Sequence, residues 1–123
     1  MAEILVVDDD DVIRDTLSEL LSLEYECQTA DTAEAALAKL EAQAFDVVLT
    51  DISMPGLSGK ELLTRVLEMY PGTPVIMISG ISDEEQAQSL MSGGAFDYLL
   101  KPFRLEVVEA SVKRAIERDR TAF

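Results

Sequence analysis

Residues 47–56, VVLTDISMPG, form the stretch of the chain that decides its fold. The short run of apolar and β-branched residues predicts a strand buried on both faces, and the Pro55-Gly56 pair ends that strand with turn-forming residues. Asp51 stands at the end of the run, where open α/β sheets place their ligand sites. Because aspartate is also a common turn residue, this stretch alone leaves both a structural and a functional role open for Asp51.

The alternation of apolar strands and amphipathic helices continues through the chain. The patterns predict strands at residues 4–7, 26–30, 45–50, 74–78 and 96–100, and helices around 12–21, from 35 to 42, after Ser58, after Ser82 and from about 105 to 118. Strands that are apolar throughout favour a parallel sheet covered on both faces. We therefore expect residues 1–123 to form one α/β domain, a doubly wound, flavodoxin-like sheet of five parallel strands in the order 2-1-3-4-5 with five helices.

Several residues predict where the helices begin and which side they bury. Residues 31–34, DTAE, and 58–61, SGKE, both have the form of a capping box. Asp10 and Asp11 are favoured as the N-cap and first-turn acids of the first helix. In the third helix the periodicity predicts a buried stripe made of Leu62, Leu63, Val66, Leu67 and Met69.

The net charge of the chain limits the kinds of molecule that it is expected to bind. It has 123 residues, with 24 acidic and 10 basic side chains and a net charge of −14. This charge repels nucleic acid backbones and anionic lipid, so we expect neither nucleic acid nor membrane to bind, and we expect a divalent cation or a basic partner instead. The apolar runs are too short to span a bilayer and no cleavable leader precedes them, so the sequence predicts a cytoplasmic protein.

The chain contains no histidine and one cysteine, Cys27. The absence of histidine excludes a Ser-His-Asp triad, histidine-based general catalysis and a phosphohistidine carrier. A single cysteine cannot form an internal disulfide, and Cys27 is interpreted as a small buried side chain without a further role.

Polar residues follow the predicted strands at their carboxyl ends. Asp8 and Asp9 follow the first strand, Asp51 the third, Ser79 the fourth and Lys101 the fifth. In a parallel sheet these ends meet at one edge, so the side chains are expected to converge. Carboxylates are ligands that Mg²⁺ prefers, and a hydroxyl and an ammonium can hold phosphoryl oxygens. The constellation therefore predicts metal-dependent phosphoryl chemistry.

The alternative is that these acids are scattered, solvated turn residues. Two carboxylates about 4 Å apart repel each other by roughly 4 kcal/mol at an effective dielectric constant of 20, so convergence would require a cation. The spacing alone does not choose the metal ligands among the four consecutive acids of residues 8–11.

Four motifs together resemble the receiver domain of bacterial two-component response regulators. They are ILVVDDD at residues 4–10, LTDISMPG at 49–56, ISG at 78–80 and KPF at 101–103, in the order and spacing of that CheY-like family. The resemblance covers essentially the whole chain. The sequence of residues 95–103, AFDYLLKPF, is most similar to that of receivers of the NtrC group, whose output domains act on transcription.

The resemblance implies a role for each acid at the strand ends. Asp51 would accept a phosphoryl group from a histidine kinase and form an aspartyl phosphate. Asp9 would bind Mg²⁺ (or Mn²⁺) directly and Asp8 largely through water. Asp51 and the main-chain carbonyl of Ser53 would complete the protein ligands.

The resemblance also implies a switch. Lys101 would pair with the phosphoryl group, Ser79 would move its hydroxyl onto it, and Tyr98 would turn inward when Ser79 moves. The Lys101-Pro102 bond would be cis, as is usual in the family. These changes would reorganise the face formed by helix four, strand five and helix five and favour a partner or a second copy of the chain.

The function that follows is a phosphorelay signalling domain, not an enzyme acting on a separate substrate. It would promote its own phosphorylation and dephosphorylation and would regulate transcription through an output domain outside these residues. One alternative is a stand-alone receiver that acts by protein contact. A less favoured alternative is a haloacid-dehalogenase-like phosphatase, whose Asp-x-Asp nucleophile pattern matches residues 8–10 but leaves Asp51 without a role.

Overall fold

A computed structural model describes residues 1–120 and contains five strands and five helices in strict alternation. In chain order they are β1 (Glu3–Val7), α1 (Asp11–Leu21), β2 (Glu26–Ala30), α2 (Ala33–Ala42), β3 (Val47–Asp51), α3 (Gly59–Met69), β4 (Val75–Ser79), α4 (Glu84–Ser92), β5 (Asp97–Leu100) and α5 (Leu105–Arg120). The predicted domain extends to residue 123, and residues 121–123 lie outside the described part. Within the described residues, no helix is long and apolar enough to cross a bilayer.

The strands pair in parallel in the order β2-β1-β3-β4-β5, which confirms the predicted fold class. The register aligns the carboxyl ends of the inner strands: Val7 lies beside Thr50, and Ser79 beside Leu100. Asp51, the last residue of β3, lies beside Ile78, one residue before the end of β4. Because all strands run in one direction, residues that leave them at this edge come close together in space although they are far apart in sequence.

The sheet has a hydrophobic core on each face. Buried side chains from α2, α3 and α4 pack on one face, and those from α1 and α5 pack on the other. β1 shows the alternation, since Leu5 and Val7 belong to the first cluster and Ile4 and Val6 to the second. A strand that is covered on both faces has no solvent side, which explains why the inner strands are apolar throughout.

Three of the predicted helix starts are confirmed. The side chain of Asp10 accepts a hydrogen bond from Val12 N at 2.9 Å and caps α1. Ser58 and Glu61 form a complete capping box at the start of α3. Asp83 caps α4, whose first turn carries acids where the helix dipole favours negative charge.

The capping box predicted for residues 31–34 is wrong. Thr32 is itself the N-cap of α2, and its side chain accepts from Ala35 N at 3.0 Å. Glu34 therefore occupies the second helical position, one short of the position from which a side chain reaches back to the cap. It instead accepts a hydrogen bond from Leu57 N at 3.4 Å, in the loop between β3 and α3.

Periodicity overestimates burial at the end of α3. Leu62, Leu63 and Val66 are buried as predicted and Leu67 is half-buried, but Met69, the last residue of the helix, is 52% exposed. Two of the five strands end later than predicted, since β3 and β4 extend one residue further to Asp51 and Ser79.

Candidate functional site

The carboxyl edge of the sheet gathers the polar side chains that the sequence predicts there. Asp8 follows β1, Asp51 is the last residue of β3, and Lys101 follows β5. The ammonium of Lys101 lies 3.2 Å from Asp8 Oδ2 and 3.3 Å from Asp51 Oδ1, so one cation bridges two carboxylates from different strands. The alternative of scattered, solvated acids is therefore wrong for Asp8 and Asp51.

A third carboxylate, that of Asp9, joins this pair. One ligand oxygen from each of Asp8, Asp9 and Asp51 lies within 4.8 Å of the others. Asp8 and Asp51 are buried, whereas Asp9 is exposed to solvent. Among the described residues, the buried Asp8 Oδ2 has the ammonium of Lys101, at 3.2 Å, as its polar partner, so this oxygen keeps unused acceptor capacity. A buried carboxylate oxygen with unused acceptor capacity, in a group of hard oxygen donors, fits a divalent cation.

The structure also distinguishes the four consecutive acids at residues 8–11, among which spacing alone does not choose the metal ligands. Asp8 Oδ1 accepts a hydrogen bond from Asp10 N at 2.9 Å, while Asp10 caps α1. Asp11 forms an ion pair with Arg14 on the surface. Asp8 and Asp9 are therefore the two acids of this run that face Asp51.

Burial and neighbouring charges shift the pKa of Asp51 and that of Lys101. Burial, and next the charge of Asp8, raise the pKa of Asp51, and they outweigh the attraction of Lys101. Burial by itself lowers the pKa of Lys101, but the charges of Asp51 and Asp8 outweigh it, so the pKa of Lys101 is raised. Lys101 therefore stays a cation, and the site holds more negative charge than this one cation neutralises.

The loop after β3 is held close to Asp51. Gly59 N donates to Ile52 O at 2.8 Å, which brings the first residue of α3 against the end of the strand. A Cβ on Gly59 would lie 2.1 Å from Asp51 O, so the position has room for glycine alone. Ser53, the predicted main-chain ligand, lies exposed in this loop.

Ser79 and Tyr98 meet at one main-chain group that the sequence did not indicate, the carbonyl of Ile81. The hydroxyl of Ser79 donates to Ile81 O at 3.3 Å and accepts from Ile81 N at 3.0 Å. The hydroxyl of Tyr98 donates to the same oxygen at 3.0 Å and lies 3.3 Å from Gln86 Oε1 in α4. Ser79 is buried, and its main-chain oxygen accepts a hydrogen bond from Lys101 N at 2.7 Å, whereas its hydroxyl is bonded to Ile81 and to neither Asp51 nor the ammonium of Lys101. The strand ends at β4 and β5 are thus connected through the loop that leads into α4.

A shallow apolar cavity of about 390 Å³ borders the site. It is lined by Ile13, Gly80, Lys101, Pro102 and Phe103. The Lys101-Pro102 bond is cis, as the resemblance implies. A molecule that approaches Asp51 from solvent would meet this apolar rim beside the charged groups.

Comparison with known proteins agrees with this geometry. A family model described as "Response regulator receiver domain" matches residues 4–113. The chain is 42% identical over 112 residues to the DNA-binding transcriptional regulator NtrC of Salmonella typhimurium, an alignment that covers 90% of this chain and 24% of NtrC. It is 39% identical over 114 residues to the response regulator protein FleR of Pseudomonas aeruginosa, covering 92% of this chain and 24% of FleR. The chain thus spans about a quarter of the length of these relatives.

Solved structures show the same architecture. A CheY-like response regulator receiver domain protein from Methanospirillum hungatei superimposes with a TM-score of 0.94 at 31% sequence identity. The superposition covers 100% of this chain and 99% of that one.

Proposed function

The chain belongs to the family of response regulator receiver domains, and we propose that it accepts a phosphoryl group on Asp51 from a histidine kinase and thereby switches a partner-binding surface. The observation that carries this proposal is the bridge from Lys101 to two buried carboxylates, Asp8 and Asp51, at 3.2 and 3.3 Å. A buried nucleophilic carboxylate, a neighbouring cation and further acidic ligands are the parts that phosphoryl transfer needs.

The transfer would form an aspartyl phosphate. A carboxylate oxygen of Asp51 attacks the phosphorus while the phosphorus–nitrogen bond of the donor phosphohistidine breaks. The imidazole leaves with the bonding electron pair and takes up a proton. The ammonium of Lys101 then stabilises negative charge on the phosphoryl oxygens. In this proposal the domain promotes its own phosphorylation and dephosphorylation and turns over no separate substrate.

Magnesium, or manganese, is the cofactor that we assign to the acidic group. Asp9 would bind it directly and Asp8 largely through water, with Asp51 and the carbonyl of Ser53 as further ligands. The bound ion would supply positive charge beside the transferred phosphoryl group. The convergence of three carboxylates beside the ammonium of Lys101 and the raised pKa of Asp51 support this assignment, because both indicate more negative charge than Lys101 compensates.

Ser79 and Tyr98 would transmit phosphorylation to the surface. If the Ser79 hydroxyl moved onto the phosphoryl group, it would leave Ile81, the residue to which Tyr98 is also bonded. A change at either residue would then alter the loop before α4. The shared bond to Ile81 O supports this coupling.

Two surfaces would serve the partners. The apolar rim formed with Pro102 and Phe103 borders Lys101 and would contact the kinase that delivers the phosphoryl group. The face of α4, β5 and α5 would bind a second copy or another protein after phosphorylation. Large apolar side chains exposed on these elements, Met91, Leu100 and Val107, support the second role.

The output would lie in the rest of a longer protein. NtrC is described as a DNA-binding transcriptional regulator, and the chain matches 24% of its length. We propose that phosphorylation of this domain regulates transcription through a further module. With a net charge of −14, the receiver itself is not expected to bind nucleic acid or membrane.

Intact-mass measurement after incubation with acetyl phosphate and Mg²⁺ tests the proposal. The wild-type chain should gain one phosphoryl group, and Asp51→Asn should gain none. Asp46→Asn, the same change just before the other end of β3, is the matched control and should be phosphorylated like the wild type. An undiminished signal in Asp51→Asn would remove the assignment of the phosphoacceptor.

Measurements on the same wild-type and Asp51→Asn proteins also test the two alternative functions, a receiver that acts by protein contact and a phosphatase. A receiver that acts by protein contact alone would be neither phosphorylated nor stabilised by Mg²⁺. A phosphatase of the haloacid-dehalogenase type would turn over a generic phosphomonoester rapidly and would continue to do so in Asp51→Asn.

A further inference from the structure

Arg14, in the first turns of α1, makes a contact that the proposed chemistry does not yet use. Its Nη1 donates to the main-chain oxygen of Asp8 at 2.8 Å, and its Nη2 is bonded to Asp11. The side chain of Arg14 is 16% exposed, whereas that of Asp11 is 80% exposed. The side chain of Arg14 is thus largely covered, and its guanidinium holds the loop between β1 and α1 through the bond to Asp8 O.

This contact acts on the peptide unit that precedes Asp9. The oxygen of Asp8 belongs to the peptide joining Asp8 to Asp9, and Arg14 holds it. The nitrogen of Asp10 belongs to the next peptide, and the carboxylate of Asp8 holds it at 2.9 Å. Both peptide planes beside Asp9 are therefore fixed from outside. Since the two planes set the backbone dihedral angles of a residue, they also set the direction in which its side chain leaves the chain.

We propose that Arg14 is a positioning residue that orients Asp9 toward the metal by fixing the peptide between Asp8 and Asp9. The inference rests on the proposed function and deepens it. Asp9 is the exposed member of the acidic group, so packing does not fix its side chain as it fixes the buried Asp8 and Asp51. Outer-shell contacts that orient metal ligands typically change metal affinity by about 10–100-fold when removed.

Replacing Arg14 with a neutral residue changes Mg²⁺ affinity in opposite directions for a positioning role and for an effect of its charge alone. Arg14 is a cation near several acids, and the hydrogen bond to Asp11, followed by the charges of Asp11, Asp15 and Asp31, raises its pKa. If only its charge mattered, replacing it with a neutral side chain would strengthen the binding of a cation. If Arg14 orients a ligand, the same replacement weakens binding.

The experiment is a Mg²⁺ titration by isothermal calorimetry at constant ionic strength. We expect the Kd of Arg14→Met to rise by about tenfold or more. Arg14→Lys keeps the charge and one donor, and its Kd should lie between those of Arg14→Met and the wild type. Arg65→Met removes one positive charge from the exposed surface of α3 and should bind like the wild type.

A second readout distinguishes positioning from a general loss of structure. Phosphorylation of Arg14→Met by acetyl phosphate should need more Mg²⁺ for half-maximal rate but should approach the wild-type rate at saturation. A merely structural role would lower the melting temperature and leave the Mg²⁺ dependence unchanged. If Arg14→Met does not fold, the comparison of Arg14→Lys with the wild type carries the same test.

The outcomes separate this inference from the proposed function. Wild-type binding of Mg²⁺ together with equal or tighter binding by both Arg14 variants would overturn the positioning role alone. Absence of Mg²⁺ binding by the wild type would overturn the proposed metal site and this inference with it.

Discussion

Asp51 is harder to ionise in the folded chain than in water, because it is buried next to Asp8. Lys101 reduces this penalty but does not remove it, since the pKa of Asp51 remains raised with the lysine 3.3 Å away. The charged nucleophile that the proposed reaction needs is therefore kept at a cost in stability. Such a cost is expected where a site is arranged for an added cation or for covalent modification rather than for the stability of the free chain.

This penalty predicts how stability depends on pH at one residue. A carboxyl whose pKa is raised on folding contributes stability below its usual pKa of 3.8 and loses it as pH rises through the raised value. Asp51→Asn cannot ionise and should keep that contribution. At pH 7 without divalent ions, we expect the variant to melt a few degrees higher than the wild type, since about 1 kcal/mol corresponds to roughly 4 °C in a domain of this size.

Thermal unfolding followed by circular dichroism from pH 3 to pH 8 measures this difference. The gap between Asp51→Asn and the wild type should close below about pH 4, where both side chains are neutral. Asp46→Asn serves as the control for the loss of one charge. If the wild-type chain were more stable than Asp51→Asn at pH 7 without metal, this would contradict a raised pKa of Asp51 in the folded chain.

At the scale of elements, the junction between β3 and α3 determines how closely a helix approaches Asp51. Gly59 lets α3 begin directly against the strand end, with its amide bonded to Ile52 O. The complete capping box from Ser58 to Glu61 fixes the same turn from the helix side. Strand and helix are thus joined with little freedom on the side of the loop that contains Ser53.

Gly59→Ala should therefore separate these elements. Its Cβ would meet main-chain atoms, the nearest being Asp51 O at 2.1 Å, so a side-chain rotation cannot relieve the clash. Overpacking of this kind typically costs about 1–3 kcal/mol. Gly72→Ala is the matched control, because a Cβ there would have no neighbour within 4 Å.

Urea unfolding of both variants checks this expectation. Gly59→Ala should lower the free energy of unfolding by the amount given above, and Gly72→Ala should leave it nearly unchanged. Equal stability of the two variants would show that α3 can shift away from β3 without loss.

At the scale of the whole molecule, the net charge of −14 acts on every carboxylate at once. Like charges on a compact surface repel one another, and this repulsion opposes folding. A rise in NaCl from about 10 mM to about 150 mM shortens the Debye length from about 30 Å to about 8 Å. The melting temperature should therefore increase by several degrees over this range.

Binding of Mg²⁺ should raise the melting temperature beyond the increase that screening by salt produces. At matched ionic strength, MgCl₂ should raise the melting temperature of the wild type above the value in NaCl, because binding to the native state alone stabilises it. Asp9→Asn should respond to NaCl like the wild type but should lose most of the additional Mg²⁺ effect. Identical responses to Mg²⁺ in the two proteins would argue against Asp9 as a metal ligand.

The sequence by itself determined the order of the elements and most helix starts. Apolar periodicity and capping residues such as Asp10 and Ser58 act within one or two turns of the chain, so their signals are local and can be recognised without a structure. The strand pattern also marked the polar residues at the strand ends, and the family motifs added a role for each of them. A local signal was wrong at Glu34, because α2 is capped by Thr32 and Glu34 is too near to bond back to the cap; its carboxylate contacts Leu57 instead.

Only the tertiary structure decided which groups touch. Asp8 and Asp51 come together with Lys101 because parallel pairing aligns the ends of β1, β3, β4 and β5, a result of strand register and not of spacing along the chain. The contact of Arg14 with Asp8 O and the shared bond at Ile81 O are also set by packing. No local pattern marks such contacts, because a hydrogen bond to the main chain depends on position and not on the identity of the residue that accepts it.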